Sequence, residues 1–250
     1  YEIFKGFRPE SADHINGFDP ASGTVNLAQL DMDERLFPVD DFRRCMNRVL
    51  LRQGSGALGY GEYSGYFRLR ETISQRLRFH RISATPDQVL ITNGSQDGLE
   101  LVLKVLGIPG KKIAIESPTY AIILPLLKYF GLETAPVPMT AKGMDLDVLE
   151  SALQKGDISF IYTIPNFHNP TGVTTAQTHR EALLALCREY DVPLVEDGFE
   201  EEMKYFGKVP PPIKSMDTDG QVIYLGTFSK VLFPGVRIGW VAADTEFTRR

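Results

Sequence analysis

Short apolar runs alternate with amphipathic stretches along most of this chain, and that alternation restricts the fold more than any other feature. The runs are Val89–Thr92, Lys112–Glu116, Thr134–Pro138, Ile158–Ile164, Pro193–Asp197, Val222–Thr227 and Arg237–Ala242. Helical patterns at Gln96–Leu106, Tyr120–Phe130, Leu146–Gln154 and Thr175–Tyr190 separate most of them. Strands joined by helices of ~10–15 residues form βαβ units and pair in parallel. The pattern predicts an α/β fold, a three-layer αβα arrangement around a mostly parallel seven-stranded sheet. Two further helices precede it. One runs from Pro38 to about Gln53, with Phe42, Cys45, Met46, Val49 and Leu50 on one stripe. The other runs from about Tyr66 to His80, with Leu69, Ile73 and Leu77 on one face. Residues 1–37 are polar and rich in turn formers and read as a lead-in arm; residues 38–250 read as one large domain.

At 250 residues the chain is long enough to bury a sizeable core. A net charge of −5 argues against nucleic-acid contact, which needs clustered Lys and Arg. The longest apolar stretch, about Ala121–Leu127, is interrupted by Pro125 and falls far short of the ~20 residues that span a bilayer. Cys45 and Cys187 lie far apart in helical patterns, and the four histidines show no metal-ligand spacing. Two buried free thiols in a reducing cytoplasm, and no metal, are the expectation. The chain opens on Tyr1 and stops at Arg250 just as a helix begins, so both ends read as cut.

Gly54-Ser-Gly-Ala-Leu-Gly59 matches G-x-G-x-x-G, but a helix pattern precedes it where a dinucleotide site needs a strand. It reads as a loop. The informative residues lie elsewhere, directly after the strand runs, where open α/β sheets bind their ligands. Asn93-Gly94-Ser95-Gln96 leads from strand to helix and offers free N–H groups and a hydroxyl to a phosphate; Ser95 could equally be a plain cap. Tyr120 could stack on a flat ligand or pack the first helical turn. Asn169, in the turn Asn166–Gly172, could face a ligand or bond local backbone. Asp197 ends an apolar strand, where a carboxylate is costly to bury without a partner, although a helix cap would also explain it. Thr227, Ser229, Lys230 and Arg237 gather hydroxyls, an amine and a guanidinium, which suits an anionic ligand, and Lys forms Schiff bases with aldehydes. Taken together in chain order, these groups supply what pyridoxal phosphate needs: a phosphate cup, an amine, an acid for the pyridine nitrogen, an amide for the phenolic oxygen and an aromatic face.

With these residues in view the sequence resembles the fold-type-I pyridoxal phosphate enzymes, aminotransferase class I/II, over nearly its whole length. It is most similar to the aminotransferase domains of MocR-type regulators and to aromatic and 2-aminoadipate aminotransferases. The matching stretches are Leu36-Phe37-Pro38, Leu58–Gly61, Gly65 with Leu69-Arg70, Ile91–Gln96, Asn169–Gly172, Glu196-Asp197 and Val222–Arg237. The resemblance implies three catalytic residues: Lys230 as Schiff-base lysine and proton carrier, Asp197 on the pyridine nitrogen and Tyr120 stacked on the ring. It implies Asn169 on the phenolic oxygen and Ser95, Gln96, Thr227, Ser229 and Arg237 around the phosphate. Tyr60 matches a tyrosine that reaches the neighbouring subunit's cofactor, which implies a homodimer with shared sites. Amino acid and 2-oxo acid substrates, exchanged by a ping-pong route, follow from the same resemblance, as does a smaller C-terminal domain missing from this chain. Two positions depart from the family. Phe199 and Glu200 stand where a tyrosine usually bonds the phenolic oxygen, and Ala28-Gln29-Leu30 stands where a glycine is frequent. The first departure leaves lyase or decarboxylase chemistry open. The regulator resemblance leaves open a ligand-sensing effector domain of the GntR family.

Overall fold

A computed structural model describes residues 32–199 and 207–249. The chain divides into two units, 1–37 and 38–250. Of the first, the 3-10 turn Glu34–Leu36 lies among the described residues, its start capped by Asp33, which accepts from the Arg35 amide. The second unit holds helices α1 (Val39–Gln53), α2 (Phe67–Phe79), α3 (Ser95–Leu106), α4 (Ile123–Tyr129), α5 (Leu146–Leu153), α6 (Gln177–Glu189) and α7 (Thr245–Thr248). Its strands are β1 (Val89–Thr92), β2 (Lys112–Ser117), β3 (Glu133–Thr140), β4 (Gly143–Met144), β5 (Ile158–Thr163), β6 (Leu194–Asp197), β7 (Val222–Thr227) and β8 (Gly239–Ala242).

The strands form one eight-stranded sheet in the order β1-β8-β7-β6-β5-β2-β3-β4. β7, β6, β5, β2 and β3 pair in parallel; β8 runs antiparallel to both of its neighbours, and β4 folds back on β3. The mostly parallel α/β expectation holds. All seven expected strands are present, and the eighth, β4, is a two-residue return too short to show any periodicity.

Successive side chains of β7 point to opposite faces, and each face has its own helices. Ile223 and Leu225 pack with Leu99, Val102 and Leu103 of α3 and Ile123 and Leu127 of α4. Val222 shares the other face with Leu149 and Leu153 of α5 and Leu183, Leu184 and Cys187 of α6. Tyr224 packs there with Ile73 and Leu77 of α2. Three layers result. The central strands β5 and β7 are buried throughout because helices cover both sides, which is why they read as unbroken apolar runs rather than as alternating ones.

Three expected boundaries move for physical reasons. Helix α4 begins at Ile123 rather than Tyr120, which places Pro125 in the first turn, where a missing N–H costs nothing. Strand β8 begins at Gly239 rather than Arg237, because Arg237 closes a 3-10 turn at φ 49° and leaves the extended region. Helix α1 forms as expected, but its apolar stripe of Phe42, Met46, Val49 and Leu50 is exposed, and Cys45 with it. Of the two thiols expected to be buried, only Cys187 is.

Gly226 faces Trp240 across the β7–β8 pair, and a Cβ built there would lie 2.3 Å from the indole ring. Gly226→Ala forces the ring to shift and is expected to lower stability by about 1–3 kcal/mol, read by chemical denaturation.

Candidate functional site

The reversed direction of β8 assembles the site. In a parallel pair, ends meet ends; here the start of β8 meets the ends of its neighbours. Gly239 is in register with Thr92, the last residue of β1, and with Thr227, the last of β7. Asp197, at the end of β6, is in register with Leu225. The segments after β1 (Ser95, Gln96), after β7 (Ser229, Lys230) and before β8 (Arg237) therefore share the sheet edge that Asp197 closes.

One end of this edge is an anion cradle. Helix α3 starts from Gly94 at φ 89°, so Gly94 is the cap and Ser95 is the first helical residue, not the cap. The first N–H groups of a helix have no intrahelical partner, and the helix dipole favours an anion there. Gly239 lets β8 approach: its Cβ would lie 2.4 Å from the Gly94 carbonyl carbon and 2.7 Å from the Ser95 nitrogen. Gly94 in turn leaves room for Arg237, since a Cβ at Gly94 would meet Nη2 of that arginine at 2.5 Å. The same Nη2 donates to the Asn93 carbonyl at 3.0 Å, which holds the guanidinium against the helix start. The Thr227 and Ser229 hydroxyls lie 3.0 Å apart, and the Ser229 amide donates to Thr227 Oγ1 at 3.1 Å. Gln96 and Arg237 are exposed, and Ser95, Ser229 and Lys230 are half-buried.

At the other end lies a buried carboxylate. The Tyr162 hydroxyl donates to Asp197 Oδ2 at 2.8 Å, and the Phe199 amide donates to Oδ1 at 3.2 Å. Burial pushes the Asp197 carboxyl up to about 6 despite these two donors, with a smaller upward push from the charge of Glu116. Burial, then the charge of Asp197, holds the Tyr162 phenol well above its ordinary value. The Tyr120 phenol is raised by burial first and by the charge of Asp197 second, which places Tyr120 within electrostatic reach of the carboxylate. Phe199, one of the two positions where the resemblance leads one to expect a tyrosine, packs its ring against the core cluster of Leu99 and Ile115. Asn169 is half-buried in its turn after β5.

The structure thus brings Ser95, Gln96, Thr227, Ser229, Lys230, Arg237 and Asp197 to one edge, with Tyr120 within electrostatic reach of Asp197. It does not bring Tyr60 to them: that residue is fully exposed on the loop after α1. The segment Gly54–Leu58 before it is a 3-10 turn that continues from helix α1, so no strand leads into the G-x-G-x-x-G match. Glu200 lies outside the described residues, as do Ala28-Gln29-Leu30. Tyr162 is the functional residue the sequence reading missed. Its signal was a phenol in the middle of an apolar strand, a hydroxyl that must find an acceptor once buried. Among the described residues no group of three or more His, Cys, Asp or Glu could hold a metal ion. The donor set fits pyridoxal phosphate: a cradle of backbone N–H groups, hydroxyls and a guanidinium for the phosphate, a buried acid for the pyridine nitrogen, and an amine on the loop between them.

A carboxyl raised from 3.8 to about 6 binds more protons folded than unfolded between those values. Its favourable contribution is complete below about pH 4 and is lost as pH rises through 6. Denaturation of the cofactor-free protein between pH 4 and 7 is expected to show this loss, about 3 kcal/mol, in the wild type and not in Asp197→Asn.

Residues 24–250 match the family model for aminotransferase class I and II. The chain is 40% identical over 235 residues to aromatic-amino-acid aminotransferase 1 of Thermococcus litoralis, covering 92% of this chain and 56% of that protein. It is 31% identical over 236 residues to YisV, an uncharacterized HTH-type transcriptional regulator of Bacillus subtilis, covering 94% of this chain and 48% of that protein. The crystal structure of the multiple substrate aminotransferase from Thermococcus profundus superposes with a TM-score of 0.90 at 36% identity, over 97% of this chain and 62% of that one. The chain thus spans about half to three fifths of the length of these relatives. With the match running through every strand of the sheet and every segment of the cradle, the chain belongs to the class I and II aminotransferase family.

Proposed function

We propose that this chain is the cofactor-binding part of a pyridoxal phosphate-dependent aminotransferase that moves an amino group between an amino acid and a 2-oxo acid in two half-reactions. The observation that carries the reading is the buried Asp197 carboxylate, with Tyr120 within its electrostatic reach, on the same sheet edge as the Lys230 loop and the Arg237 cradle. The cofactor supplies, when bound, an electron sink for the bond broken at the substrate Cα and a carrier for the amino group. Everything else is the work of side chains. Arg237, Thr227, Ser229, Ser95, Gln96 and the start of α3 bind the phosphate and fix the ring's position. Asp197 holds a proton at the pyridine nitrogen, and a carboxylate with raised proton affinity shares that proton well. Tyr162 keeps Asp197 oriented. Tyr120 would stack on the ring and shield it from water, and Asn169 would donate to the phenolic oxygen. Lys230 Nζ would hold the cofactor through its aldehyde and, as a free amine, would carry the proton taken from the substrate Cα.

A homodimer is part of this proposal. The exposed stripe of α1 and the exposure of Tyr60, Tyr63 and Leu58 leave a large apolar surface for a second copy, which would bring Tyr60 to the partner's phosphate. A cytoplasmic setting is also part of it and rests on two free cysteines. No helix among the described residues is long and apolar enough to cross a membrane. The similarity to an HTH-type regulator favours a second reading, a ligand-sensing domain that binds the cofactor without turning substrate over.

The protein is expected to show the visible absorbance of Lys-bound pyridoxal phosphate and to lose it in Lys230→Ala; persistence of the band in that variant refutes the role of Lys230. In an amino-donor screen on the intact protein, at least one amino acid is expected to convert the cofactor to pyridoxamine phosphate. If none does while the visible band is present, the sensor reading replaces the enzyme.

A further inference from the structure

A second buried carboxylate lies close to the site, and the mechanism above does not use it. Glu116 is near the end of β2, four residues before Tyr120, and its side chain is fully buried. Burying a carboxylate is costly unless donors surround it. Here the Thr163 hydroxyl donates to Oε1 at 2.6 Å and the Ile164 amide donates to Oε2 at 3.0 Å, tying β2 to the end of β5. His168, whose side chain is also fully buried, places Nε2 3.0 Å from Glu116 Oε2, at ion-pair distance but off the line of a straight hydrogen bond.

The surroundings of His168 are closed as tightly. Nδ1 lies 2.8 Å from Thr171 Oγ1, the His168 amide donates to the Val173 carbonyl at 2.9 Å, and the Gly172 amide donates to the His168 carbonyl at 2.6 Å. These bonds wrap residues 168–173 around the imidazole, with Asn169 next to it in sequence. The pair therefore joins the start of the loop that carries Tyr120 to the turn that carries Asn169. Glu116 stands one residue before the end of β2, and both side chains are fully buried. Their position suits holding rather than chemistry.

We propose that Glu116 and His168 form a positioning pair that fixes Tyr120 and Asn169 at one spacing across the cofactor ring. This inference rests on the cofactor reading above. The pair would not bind substrate. Its loss would loosen the stack on one face and the amide contact at the ring edge together, while the phosphate cradle, further along the same edge at β1, β8 and β7, would stay intact.

The test compares intact wild-type protein with Glu116→Gln, His168→Leu and His168→Gln, each loaded with pyridoxal phosphate. The induced circular dichroism of the cofactor band is read alongside kcat and KM for an amino donor. Glu116→Gln and His168→Leu are expected to keep the absorbance, lose half or more of the induced dichroism and lower kcat about 10²-fold, as misplacement by about an ångström does. KM for the amino donor should stay within about twofold, since the cradle and substrate contacts are untouched. His168→Gln, which offers Glu116 a polar N–H in place of the imidazole, should recover most of the dichroism. Wild-type dichroism and kcat in both Glu116→Gln and His168→Leu would overturn the pair while leaving the cofactor site standing. If His168→Leu does not fold, Glu116→Gln, which keeps the shape and the Thr163 contact, decides alone. A wild-type protein with no visible band, indistinguishable from Lys230→Ala, would remove the cofactor reading and this inference with it.

Discussion

The Asp197 carboxylate is buried at the end of a strand that is itself buried on both faces, and most of the site exists to make that tolerable and useful. A carboxylate without partners in such a place would simply protonate. Two donors, the Tyr162 phenol and the Phe199 amide, hold it, yet burial still raises its proton affinity to near neutrality. A group in that state is well matched to share a proton with a pyridine nitrogen. The three layers of helix, sheet and helix matter here chiefly because they exclude water from Asp197 and Tyr162.

The second constraint is topological. A sheet of parallel strands presents its loops at one edge, but a phosphate cup also needs a guanidinium close to a helix start. The antiparallel β8 provides it, because its beginning lies where β1 and β7 finish. Gly239 and Gly94 permit the close approach of β8, α3 and the Arg237 side chain, each at a distance a Cβ would forbid. The left-handed turn at Arg237 then directs the chain into β8.

Much of this was legible in the sequence because the responsible residues are chemically conspicuous. A Lys flanked by hydroxyls after an apolar run, an Asp closing another and a Gly-Ser pair opening a helix announce themselves at strand ends. What escaped depends on long-range geometry. Tyr162 looked like one more apolar residue of β5, because its acceptor lies 35 residues away. Ser95 left a cap and a phosphate contact equally open because the true cap, Gly94, offers no side chain to recognise. Arg237 read as part of β8 because the apolar run gives no sign of the turn that precedes it. Cys45 read as buried because an amphipathic stripe predicts a partner surface without saying whether the same chain supplies it. The anion cradle was visible as a list of residue types, but the reversal of β8 that assembles it was not.

The proton that Asp197 would hold on the ring nitrogen of bound pyridoxal phosphate is open to direct observation. Nitrogen-15 NMR of the protein loaded with ring-labelled cofactor reads that proton directly. The expected shift at pH 8 is that of a protonated pyridine nitrogen in the wild type and of an unprotonated one in Asp197→Ala. An unprotonated nitrogen in the wild type, or the same shift in both proteins, would contradict it.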